Sequence, residues 1–190
     1  PLPHEPDDRE AWSRLYLARR LQAKQAERDA RATILFSGTS YGAAVEAADI
    51  LRDSYGIDVD LWSATSYKSL RDDAMEVERW NRLHPSQPRR TSIIDRTLGA
   101  NDLPIVAVSD FMRIVSEQIA PYLPGRRFLS LGTDGMGRSD TRESLRRFFE
   151  TDAQHVVVAT LTALVGTHGI TDATIEKAIT DLGIDPEATN

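Results

Sequence analysis

The sequence predicts an α/β domain, a three-layer α/β/α sandwich around a largely parallel sheet of four or five strands. Two observations carry this. Four short strand-like runs, at 32–37, 58–64, 104–109 and 127–131, are apolar or alternating and bounded by turn residues. Stretches of helical periodicity separate them. Strands that alternate with helices need crossover connections, which make the strands parallel and put helices on both faces.

The elements follow in order. Residues 1–8 are rich in Pro and Asp and read as a loose entry segment. Residues 9–30 are dominated by good helix formers, with Trp12, Leu15, Tyr16 and Arg19 on one face, so a helix is expected. The chain accordingly divides into an N-terminal extension with a helix, 1–31, and a domain, 32–190. After the first strand, Ala44, Ala47, Ala48, Leu51 and Tyr55 form one helical stripe that stops at Gly56. A second helix runs from Ser66 to about Leu83, before Pro85. Ile93, Ile94 and Leu98 suggest a short helical turn. Phe111, Ile114, Val115 and Ile119 place another helix after the third strand, closed by Pro124-Gly125. Asp140, with Glu143 three residues on, has the spacing of a capping box. Residues 154–165 fit strand or helix by periodicity, and Asp152 together with the Ala and Leu content favours helix. A last helix spans about Thr171 to Leu182, ahead of Gly183.

Composition narrows the function classes. The 190 residues are 41% hydrophobic and 27% charged, an ordinary globular balance. A net charge of -6 argues against nucleic acid as a partner, because phosphate binding needs clustered Lys and Arg. There is no cysteine, which excludes disulfides, thiolate metal sites and thiol nucleophiles. No apolar run approaches the roughly 18 residues of a membrane span. The start, Pro1 to Asp8, lacks the basic-then-apolar order of a signal peptide, and the absence of an initiator Met fits a fragment or processed form.

Two loops stand out. For Ser37-Gly38-Thr39-Ser40-Tyr41-Gly42, helix N-terminal amides offer a phosphate cradle. The competing reading is a tight turn capped by Thr39 or Ser40, and the full phosphate-loop pattern is missing. The loop from Gly132 to Asp140 is denser in chemistry. Asp134, Gly135, Met136, Arg138, Ser139 and Asp140 sit after a strand, at the edge where doubly wound folds place ligands. Either it is an irregular turn, with Arg138 on an aspartate and Asp140 as a cap, or it meets a ligand, a neighbouring domain or a second subunit. His4, His84, His155 and His168 show no zinc spacing. Asp72, Asp73, Glu76 and Glu78, with Arg71 and Arg79 between them, read as a solvated helix face. Arg146 and Arg147 beside Phe148 and Phe149 read as packed rings with outward cations.

Four blocks carry a resemblance. They are Trp62-Ser-Ala-Thr-Ser-Tyr-Lys-Ser-Leu-Arg71, Glu78-Arg-Trp-Asn-Arg-Leu-His-Pro85, Val108-Ser-Asp-Phe-Met112 and Leu131-Gly-Thr-Asp-Gly-Met-Gly-Arg-Ser-Asp-Thr-Arg-Glu143. Together, over residues 33 to 190, they resemble the C-terminal domain of homodimeric, thiamine-diphosphate-dependent pyruvate dehydrogenase components, in the transketolase superfamily. The resemblance implies a mostly parallel five-stranded sheet with one antiparallel strand. It implies a full enzyme that decarboxylates a 2-oxo acid with thiamine diphosphate and Mg, then passes the acyl group to the lipoyl acyltransferase component. It also implies a homodimer, a cytoplasmic setting and a cofactor held by preceding domains of the same enzyme. No catalytic, cofactor-binding or metal residue is carried over, and no cofactor is expected on this chain alone. The 132–140 loop is expected at an interface or channel wall, with Met136 where the family loop has an aromatic. The alternatives are a stand-alone scaffold module of the same fold, or the equivalent domain of a transketolase.

Overall fold

The structure is a computed structural model that describes residues 15–20, 30–99 and 101–188. At its centre is a five-stranded sheet of β1 (Leu15–Arg20), β2 (Ala32–Phe36), β3 (Val59–Ala64), β4 (Ile105–Val108) and β5 (Phe128–Leu131), in the order β1-β3-β2-β4-β5. Strands β2 to β5 run parallel, and β1 pairs antiparallel with β3. The four strands expected from sequence fall within one residue of their predicted ends.

Strand β1 is a correction. The helix expected over 9–30 is replaced at Leu15–Arg20 by a strand, and the rest of that stretch lies outside the described residues. Helix propensity is a weak preference. The outer edge of β3 offers a ladder of backbone donors and acceptors that a strand satisfies and a helix does not. The sheet therefore crosses the expected boundary at residue 31.

Among the described residues the helices are α1 (Tyr41–Tyr55), α2 (Tyr67–Leu83), α3 (Ile93–Leu98), α4 (Arg113–Glu117), α5 (Arg142–Phe148), α6 (Ala153–Ala163) and α7 (Asp172–Asp181). Side chains alternate across a strand, so β2 feeds two cores. Ile34 and Phe36 join Ala44, Ala47, Ala48 and Leu51 of α1 with Val156, Val157 and Leu161 of α6. Leu35 joins Leu70 of α2, Ile94 of α3 and Ile119 on the opposite face. The alanines of α1 let the helix approach the sheet closely. Gly56, at φ 66, ends α1 by returning its N–H to the carbonyls of Leu51 and Arg52.

Two polar side chains fix the second layer. Asp73 of α2 accepts the Ile93 N–H at 2.7 Å, in addition to the Ser92–Asp95 capping box, so it tethers α3 rather than facing water as expected. Arg126 donates to the carbonyls of Leu98 and Leu103 at 2.8 and 2.6 Å.

Helix α4 is shorter than expected and turned differently. Phe111 and Ile114 are 56% and 60% exposed, while Ser116 and Ile119 face inward. Ser116 Oγ meets Ser130 Oγ of β5 at 2.9 Å, which ties the inward face to the sheet.

Leu61 in β3 is fully buried between its neighbours. Leu61→Ala should lower unfolding free energy by about 2–5 kcal/mol, read as a lower urea midpoint with an unchanged slope.

Candidate functional site

Three loops meet at the carboxyl edge of the sheet, and residues 109–113 bind them together. The Asp110 carboxylate accepts the Thr39 hydroxyl at 3.3 Å. The Asp110 carbonyl accepts the Thr133 hydroxyl, and the Phe111 carbonyl the Thr133 N–H, each at 2.9 Å. Arg113 Nε donates to Asp134 Oδ2 at 2.5 Å. From α5, Arg146 reaches back to the Thr39 carbonyl at 2.9 Å. Gly132 lies directly against this segment. A Cβ there would collide with the Phe111 carbonyl and sit 2.8 Å from the Arg113 nitrogen.

The side chains of Phe111, Met112 and Ile114 are exposed at this edge, and Met136 is 88% exposed. The sequence puts Phe111 and Ile114 on one helical face with Val115 and Ile119, and it gives no role to Asp110 or Arg113. The block Val108 to Met112 was a signal, but its role is contact between loops.

The predicted site residues are only partly brought together. Asp134 pairs with Arg113. Gly135 adopts φ 98, a conformation that favours glycine. Arg138 pairs no aspartate among the described residues. Its guanidinium lies 4.1 Å from the centre of the Phe148 ring. Ser139 and Asp140 line one wall of a cleft with Arg138. Asp140 is not the cap of α5. Thr141 is, accepting the Ser144 N–H, while Asp140 accepts the Thr141 N–H at 2.6 Å. Neither Thr39 nor Ser40 caps α1 through its side chain, so the first loop is a turn held by Asp110 and Arg146.

The other specific block lies elsewhere on the fold. His84 stacks on Trp80 with ring centres 3.6 Å apart, and the Arg90 guanidinium lies 3.4 Å from the Trp80 centre. The Asn81 amide donates to the Arg90 carbonyl at 3.0 Å and accepts its N–H at 2.8 Å. This motif staples the segment after α2.

A second charged cluster, not singled out in the sequence, sits where α5 passes to α6. Asp152 caps α6 by accepting the His155 N–H at 3.0 Å, and it takes the His155 Nδ1 at 2.6 Å and Arg147 Nε at 2.9 Å. Burial alone would push the Asp152 carboxyl up. The hydrogen bonds from the His155 ring and backbone, with the nearby Arg147 charge, outweigh that and hold it below its ordinary value.

A family model described as the transketolase-like C-terminal domain matches residues 20–152. A pyruvate dehydrogenase E1 component of Pseudomonas aeruginosa is 45% identical over 157 residues, 83% of this chain and 18% of that protein. The Escherichia coli protein of the same name is 41% identical over 157 residues, again 83% of this chain and 18% of that protein. The Mycobacterium tuberculosis one is 39% identical over 193 residues, covering 98% of this chain and 20% of that protein. The chain thus spans about a fifth of the length of these relatives. Among solved structures, a Campylobacter jejuni transketolase aligns with a TM-score of 0.50 at 15% identity, over 84% of this chain and 20% of that one, a likeness of fold.

Two outcomes follow from the geometry. Gly132→Ala should cost about 1–3 kcal/mol and loosen the loop cluster, seen as faster amide exchange at Thr133. Asp152 has a depressed folded pKa, so its stabilisation is present above the unfolded carboxylate value of about 3.9 and is lost as pH falls through the folded value. The stability gap between wild type and Asp152→Asn should therefore be full at pH 7 and shrink below about pH 4. A gap that stays constant down to pH 2 would contradict this reading.

Proposed function

The chain belongs to the transketolase-like C-terminal domain family, and on that premise we propose that it is the C-terminal accessory and dimerisation domain of a thiamine-diphosphate-dependent pyruvate dehydrogenase component. The observation that carries the proposal is 39–45% identity to relatives named as that component, over only 18–20% of their length. The remaining four fifths of such a protein hold ample room for the chemistry. The likeness to transketolase structures, at 15% identity, speaks for fold alone.

In the whole enzyme, thiamine diphosphate with Mg would supply decarboxylation of pyruvate and acetyl transfer to the lipoyl groups of the acyltransferase component. In this reading the preceding domains hold that cofactor. Asp134, in the segment Gly132-Thr133-Asp134-Gly135, is engaged by Arg113, and Gly132 is packed against backbone. Among the described residues no three His, Asp or Glu side chains gather to hold a metal. No catalytic, cofactor-binding or metal residue is assigned here.

The role of the chain is to present a surface. Phe111, Met112, Ile114 and Met136 are apolar and exposed at one edge, and such a surface favours burial by a neighbouring chain segment. We place the preceding domains of the same enzyme, or its dimer partner, against this edge, with the 132–140 loop shaping the approach to the active site. A homodimeric enzyme in the cytoplasm is the setting of this reading.

Two measurements test it. Titration calorimetry of the 190-residue chain with thiamine diphosphate and Mg should give no binding heat, and saturable micromolar binding would reverse the assignment. In the full-length enzyme, Arg138→Ala should reduce assembly or turnover. Wild-type dimerisation and rate would sink the interface role.

A further inference from the structure

Behind the 138–140 loop, a cleft of about 650 Å³ is closed by α5, the start of α6 and the segment after α7. We infer that it binds a small ligand carrying a carboxylate or phosphate oxyanion on an apolar stem. The inference is independent of the enzyme assignment.

Three features converge. Arg138 lies across the Phe148 ring with no carboxylate partner among the described residues. Stacking holds the guanidinium plane and leaves its N–H edge available for an oxyanion. His155 lines the same cleft with a side chain only 13% exposed. Its Nδ1 is held by Asp152 at 2.6 Å, and Nε2 has no partner among the described residues. A ring nitrogen fixed by a carboxylate orients the other one. Leu145 and Phe148 supply apolar surface beside these groups.

Opposing charges also line the cleft and define its selectivity. Asp140 and Asp185 are turned to backbone, accepting the N–H groups of Thr141 and Glu187 at 2.6 and 3.0 Å. Arg147 offsets Asp152 at 2.9 Å. Glu150 is exposed and has no ion pair among the described residues, so an anion in the cleft meets its charge uncompensated. The oxyanion is placed at the Nε2 edge of the His155 ring, opposite the Nδ1 that Asp152 holds. The charged groups around that ring are Asp152 and Arg147 beside it, with Arg138, Asp140, Glu150 and Asp185 in the other walls.

The test uses benzoate and phenyl phosphate, one stem with two head groups, and benzyl alcohol as the uncharged control. Each is titrated into the 190-residue chain while the His155 imidazole signals are followed by NMR. At least one anion should shift those signals with a Kd at or below about 1 mM, and benzyl alcohol should not. Binding by benzoate alone identifies a carboxylate ligand, and binding by phenyl phosphate alone identifies a phosphate ligand. Arg138→Gln should weaken binding about tenfold or more, and Glu150→Gln should tighten it. If the Arg138 variant fails to fold, the Glu150 variant still decides. Unmoved His155 signals, equal binding of benzyl alcohol, or affinity indifferent to Glu150→Gln would overturn the inference.

Discussion

Residues 109–113 bond to two other loops at once, by backbone to the loop after β5 and by the Asp110 carboxylate to Thr39, and the shape of the carboxyl edge depends on it. Polar backbone groups near a packed edge must be satisfied. Here the loop after β5 satisfies the carbonyls of Asp110 and Phe111, and the approach is so close that only Gly fits at 132. With those groups engaged, the side chains of Phe111 and Met112 are left exposed. An apolar surface on this edge is thus a product of hydrogen bonding, and the Arg113–Asp134 pair at its margin fixes the relation of one loop to the next.

Much of the fold was legible in the sequence, and the exceptions are instructive. Strands β2 and β4 are buried on both faces, so β-branched and apolar residues mark them without ambiguity. Helix α1 announces itself by its alanine stripe and Gly56. Strand β1 was hidden because helix-forming residues accept an extended conformation when a sheet edge supplies the bonds. Helix α4 was misread because 3.6-residue spacing shows that a face exists without saying which way it turns. Asp140 and Thr141 are both good caps and adjacent, and only geometry separates them.

The candidate site was legible as a place and illegible as a network. Three glycines and three charges within nine residues after a strand located the loop. Its partners are distant in sequence. Arg113 is 21 residues from Asp134, and Thr39 is 71 from Asp110. No local pattern encodes such pairs. The same holds for Asp152, whose sequence role as a helix start conceals that one carboxylate serves a cap, an imidazole and a guanidinium together. A group with three simultaneous donors is expensive to remove and tends to be held in one conformation.

Strand β1 has a practical consequence for anyone shortening the chain. It covers the outer edge of β3 by antiparallel pairing from Leu15 to Arg20. A truncation at the apparent start of the domain, near residue 31, would strip that cover and expose a row of unpaired amide groups along β3. Open edges of that kind recruit strands from other molecules. A shorter, tidier fragment would gain a surface for edge-to-edge aggregation, so the residues that look most dispensable protect the sheet from its own copies.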